Sequence, residues 1–163
     1  MSEVRPAAFT HRQALHGAGG NGVMLTALPE GHVVLLLTRA GAQAPDVPGL
    51  RPAGPGQWYM VGDEPLSAED FAALVARLPD VAVSDQSHGR VRIVVEGAEV
   101  AEMLAKGTAV DLEGLAVGAS ASTLVGPLGV HLTRTCAVRY ELMVLRSFAE
   151  ALWNDLEMMA AEY

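Results

Sequence analysis

The stretch Val83-Ser84-Asp85-Gln86-Ser87-His88-Gly89-Arg90-Val91-Arg92-Ile93-Val94-Val95-Glu96-Gly97 sets a polar turn between two strand-like runs. Valine and isoleucine favour a pleated backbone on either side. Asp85, Ser87 and Gly89 are turn-forming types, because short polar side chains satisfy nearby backbone donors and glycine accepts unusual dihedrals. The pattern predicts strands over 81–84 and 91–95 around a turn over 85–90.

Downstream, 98–106 reads as a short helix with Val100, Met103 and Leu104 facing inward, Lys106 in its last turn and Gly107 at its C-terminal cap. Residues 122–125 and 130–134 flank a Gly-Pro-Leu-Gly break and predict a hairpin, followed by a strand over 140–145. Ser147 with Glu150 has capping-box spacing, and Phe148, Leu152, Leu156 and Met159 then fall on one face of a final helix.

Upstream, 23–28 and 32–38 are apolar runs around Pro29-Glu30-Gly31 and predict another hairpin. A Pro- and Gly-rich loop is expected over 40–56 and a strand over 57–61. Ser67 can then cap a helix with Glu69 and Asp70 in its first turn, where the helix dipole favours negative charge. Phe71, Leu74, Val75 and Leu78 form its apolar stripe, and Pro79 ends it. Residues 1–22 contain Gly17, Gly19, Gly20 and Gly22 and predict a flexible or partner-ordered arm ahead of a single domain over 23–163. Paired strands followed by single helices specify an α+β fold, with antiparallel or mixed sheets and helices packed on one face. A strand-strand-strand-helix order recurs at 23–78 and 122–160, which suggests a pseudo-repeat.

Half of the 163 residues are apolar, enough for a sizeable core, and 18% are charged, below the usual ~25%. The deficit fits either a surface covered by partners or a rich core. The net charge is −8, and one lysine, Lys106, accompanies ten scattered arginines. Nucleic acid binding draws on clustered cations that neutralise phosphates, so nucleic acid and anionic membrane are excluded as partners. Cys136 is the single cysteine, which permits no internal disulfide. No apolar run approaches the ~18 residues that span a bilayer, and the first residues lack signal-peptide order. A cytoplasmic location is expected.

Asp85, Ser87, His88 and Arg90 form the densest polar cluster, and Ser with His can make an activated nucleophile. Neighbours on an extended backbone point in opposite directions, however, and no nucleophile-elbow glycines surround them. A structural turn whose Arg90 or His88 meets a partner is the better reading. The five histidines carry no ligand spacing for a metal, the arm glycines precede no helix that would bind phosphate, and Cys136 lies near no resolving thiol. No catalytic, cofactor-binding or metal residue is assigned. Asp85, Ser87, His88, Arg90, Arg146 and Trp153 are the candidate interface residues. Intrachain pairing of the two arginines is the alternative, and Phe148 is assigned to the core.

Asp85-x-Ser87-His88-x-Arg90, Leu104-x-Lys106-Gly107-x-x-x-Asp111-Leu112 and Arg146-Ser147-Phe148-Ala149 together resemble the gamma subunit of heterotetrameric sarcosine oxidase, over roughly the second half of the chain. The Asp-x-Ser-His turn is shared with folate-binding folds of the glycine-cleavage T-protein type. The resemblance implies a T-protein-like folate-binding fold and an accessory, structural role beside alpha, beta and delta subunits. It further implies a complex that demethylates sarcosine to glycine, with one-carbon transfer to tetrahydrofolate and formation of hydrogen peroxide. FAD, FMN, NAD and tetrahydrofolate would sit on other subunits and none on this chain. A stand-alone folate-binding or aminomethyltransferase-like protein, or the equivalent subunit of a related N-methyl amine oxidoreductase, is the alternative.

Overall fold

A computed structural model describes residues 22–163 and, as backbone, 13–16. Its elements in chain order are β1 (Gln13–His16), β2 (Val23–Ala27), β3 (His32–Leu37), β4 (Leu50–Gly54), β5 (Gln57–Gly62), α1 (Ala68–Arg77), β6 (Ala82–Asp85), β7 (Arg90–Glu96), α2 (Val100–Ala105), β8 (Ser120–Val125), β9 (Leu128–Cys136), β10 (Arg139–Leu145) and α3 (Ala149–Ala160). Two sheets result, in the orders β1-β2-β7-β10-β9-β8 and β4-β5-β3-β6. Every pairing is antiparallel. The class is α+β.

Strand alternation sorts the layers. On β7, Val91, Ile93 and Val95 point into a core closed by α2 and α3, where Met103, Leu104, Leu152 and Leu156 are fully buried. Each such side chain contributes about 1.5–3 kcal/mol of transfer free energy. The smaller sheet packs Val34, Leu36 and Met60 against Leu74 of α1 in a second core, joined by Phe71 and Leu78. The remaining faces of the two sheets meet each other, and Arg92, Glu141 and His131 are buried there beside Val94 and Met143. Helices therefore cover one face of each sheet.

The α1 cap forms as the sequence predicts: Ser67 Oγ accepts the Asp70 amide at 3.0 Å. The β8–β9–β10 meander and the inward face of α2 also follow the prediction. Several expectations are corrected. The runs around Pro29 do not form a hairpin, because β2 pairs with β7 in one sheet and β3 with β5 and β6 in the other. The predicted loop over 40–56 contains β4, an edge strand interrupted by a register shift between Pro52 and Gly54. Gln13–His16, inside the expected arm, pairs with β2; the rest of that arm up to residue 21 lies outside the described residues. The final helix starts at Ala149 with Phe148 at its N-cap, after a 3-10 turn over Arg146–Phe148, so the chain enters it later than the Ser147 capping box sets. Val75 of the α1 stripe is exposed.

Candidate subunit interface

The Asp85–Arg90 turn links the two sheets, since β6 precedes it in one and β7 follows it in the other. Ser87 opens a single 3-10 turn and is buried. Asp85 Oδ1 accepts both the Ser87 amide at 3.0 Å and its hydroxyl at 2.5 Å. That hydroxyl bond, first among the causes, holds Asp85 below the usual carboxylate value. Ser87 Oγ in turn accepts the Val33 amide at 3.0 Å and so ties the turn to β3. The hydroxyl is engaged in backbone structure rather than held by an imidazole.

His88 projects outward, with its Nδ1 against Glu30. Arg146 Nε donates to the His88 carbonyl at 2.6 Å, and its Nη2 reaches Glu30 at 3.1 Å. Arg90 donates to the Gln86 side chain at 3.1 Å and the Tyr59 hydroxyl at 3.2 Å, and it stacks over the Tyr59 ring. Both arginines therefore have intrachain partners while remaining half-exposed. Trp153 is only 4% exposed and belongs to the α3 core, which corrects its reading as an interface anchor. Phe148, expected in the core, is 45% exposed beside Leu145, itself 43% exposed. The predicted inward face at Leu152, Leu156 and Met159 is kept; Phe148 falls outside it because it belongs to the 3-10 turn ahead of the helix, and Trp153 adjoins that face and is buried with it.

The largest polar cluster lies between the sheets and was not singled out from sequence. Glu141 accepts Nε of Arg92 at 2.8 Å and Nη1 of Arg51 at 2.7 Å. Arg92 also donates to the Gly62 carbonyl at 3.0 Å and to Asp63 at 2.9 Å. A β-carbon on Gly62 would lie 2.2 Å from the His32 ring, so a larger residue there would displace that imidazole. Burial alone would raise the Glu141 pKa, but the hydrogen bonds and charges of Arg92 and Arg51 lower it from 4.5 to about 2. A signal existed: Arg92 and Glu141 are lone charges within the apolar runs Val91–Val95 and Tyr140–Leu145, and opposite charges in two such runs call for each other.

Nearby, His131 lies edge-on to Tyr59 with ring centroids 5.1 Å apart. Its Nε2 is 2.9 Å from the Pro52 carbonyl, which can only accept, so Nε2 carries the proton. Nδ1 is buried and has no partner among the described residues. Burial, then the neighbouring Arg51 and Arg90, lowers the His131 pKa. Past the end of the smaller sheet this polar seam opens into a cleft of about 830 Å³, with Arg90, Leu124 and Leu145 among its walls. Among the described residues, no group of three or more His, Cys, Asp or Glu side chains could hold a metal ion, and no helix is long and apolar enough to cross a membrane.

Paired sheets with outer helices, and polar side chains committed to joining those sheets, define a small α+β protein with a half-exposed arginine and apolar rim. The family comparison is specific: residues 44–162 match the sarcosine oxidase, gamma subunit family, and the chain belongs to it. It is a gamma subunit of that oxidoreductase. A solved chain of the "Heterotetrameric Sarcosine Oxidase from Corynebacterium sp. U-96 in complex with pyrrole 2-carboxylate" has a similar fold, with a TM-score of 0.79 at 20% identity over 90% of this chain and 88% of that one. No curated protein matches the sequence.

Proposed function

We propose that this chain is a structural, non-catalytic subunit that assembles with alpha, beta and delta subunits in the cytoplasm. The complex demethylates sarcosine to glycine, transfers the one-carbon unit to tetrahydrofolate and forms hydrogen peroxide, with FAD, FMN and NAD held by the other subunits. Membership of the gamma subunit family carries this reading. The commitment of Ser87 and Asp85 to backbone support agrees with it, since neither is left to act on a substrate. The reading includes a pseudo-repeated, T-protein-like architecture, with the repeat at 23–78 and 122–160.

Within the complex, the rim formed by His88, Arg90 and Arg146 next to exposed Leu145 and Phe148 faces a partner. Arginine suits such a rim because its planar fork makes directed hydrogen bonds while its stem buries apolar area. Co-expression with the three partner subunits and size exclusion tests the proposal: the chain co-elutes with them, and sarcosine-dependent peroxide formation stays with the complex. Amine oxidase activity in the isolated, monodisperse chain would overturn it. A stand-alone folate-binding protein would instead bind tetrahydrofolate tighter than about 100 μM, roughly −5.5 kcal/mol, in calorimetry of the purified chain.

A further inference from the structure

One row of side chains crosses the larger sheet at the mouth of the cleft. Arg90 on β7 stands directly opposite Leu145 on β10. Val144 pairs with Val130, which sets Leu145 beside Gly129 on β9, and Gly129 pairs with Leu124 on β8. Directly opposed residues in antiparallel strands share a face, so the row reads guanidinium, leucine, no side chain, leucine. Leu145 is 43% exposed and Leu124 57%. No atom lies within 4 Å of where a β-carbon on Gly129 would sit. The glycine therefore leaves an open trough between two exposed leucines, with an arginine at one end.

We propose that this trough receives an apolar side chain of a partner subunit whose neighbouring carboxylate pairs with Arg90. The inference rests on the gamma-subunit reading and names the contact that assembly uses. Charge favours this occupant. The chain carries −8 overall, yet among the described residues Arg90 is the one permanently charged residue lining the cleft. Among the described residues Arg90 donates only to neutral groups, Gln86 and Tyr59, whereas Arg51, Arg92, Arg139 and Arg146 each meet a carboxylate. A partner carboxylate would find an unneutralised cation there, held in place by Tyr59. The trough also continues the rim at Arg146, since Leu145 borders both.

The test is competitive incorporation. Tagged Gly129→Leu and untagged parent chains are co-expressed with the three partner subunits, and their ratio in the purified complex is measured. A β-carbon there meets no atom within 4 Å in the free chain and the leucine lies between the exposed Leu124 and Leu145, so the isolated variant keeps the parent's melting temperature; in the complex it fills the trough and incorporation falls by about tenfold or more. Arg90→Gln reduces the salt dependence of assembly, as expected when a rim charge is removed. Equal incorporation of Gly129→Leu overturns the inference. So does slower amide exchange at 122–124 on adding benzoate to the assembled complex, which would mark a small-carboxylate site. Failure of the parent chain to incorporate would overturn this inference together with the reading it rests on.

Discussion

Glu141 on β10 and Arg92 on β7 meet diagonally across one strand pairing, with Oε1 to Nε at 2.8 Å and Oε2 to Nη2 at 3.1 Å, both side chains buried between the sheets. Arg51 reaches the same carboxylate from the second sheet. One acid thus bridges two guanidinium groups, with Asp63 supplying a second carboxylate to Arg92, and joins residues 90 apart in sequence.

Removing that acid leaves Arg51 without a carboxylate partner among the described residues and Arg92 with Asp63 alone. Glu141→Gln should destabilise the isolated chain by about 3–5 kcal/mol, the range for breaking a buried ion pair from one side. Urea unfolding followed by circular dichroism checks this, and an unchanged midpoint would mean that the two sheets do not depend on the contact.

The same carboxylate sets an acid limit. Its folded pKa, about 2, lies below its ordinary 4.5, so its stabilisation is fully present above pH 4.5 and is lost as pH falls toward 2. The shift corresponds to roughly 3 kcal/mol. Stability measured from pH 6 to pH 2 should fall through this window in the parent chain and flatten in Glu141→Gln.

Ser87→Ala removes the acceptor for the Val33 amide and the donor to Asp85. A buried amide left unsatisfied costs about 1–3 kcal/mol, so the melting temperature of the isolated chain should drop. The turnover of assembled complex, normalised to its concentration, should not change. A loss of turnover with intact assembly would restore a nucleophile role for Ser87.

Trp153→Ala should cost about 3–5 kcal/mol as a large-to-small core substitution, whereas Phe148→Ala, at an exposed site, should leave the isolated fold near parental stability. Thermal melts of the two variants separate the core residue from the rim residue. Equal losses would contradict their placement.

The local elements are legible in the chain itself. Ser67 before an acidic first turn, the inward Val100-Met103-Leu104 face and the Gly-Pro-Leu-Gly break between β8 and β9 each depend on neighbours a few residues away, and those neighbours are visible in sequence. The motifs around Asp85, Lys106 and Arg146 likewise carried the family. Sheet membership is different. β2 and β3 look like one hairpin, yet they part because β7 offers Leu25 and Ala27 a core beneath α3, while β6 and β5 take β3. Nothing local records that choice, since the partners taken lie 20 (Leu37 to Gln57) to 72 (Met24 to Glu96) residues away. Glu141 could have been suspected as a lone acid in an apolar strand, but Arg92 becomes its partner through the β7–β10 pairing and Arg51 only when the two sheets stack face to face. The two aromatic residues of α3 were decided in the same way: packing against β1, β2 and β10 widens the predicted Leu152–Leu156 face to take in Trp153, while Phe148 stays in the 3-10 turn ahead of the helix and meets solvent.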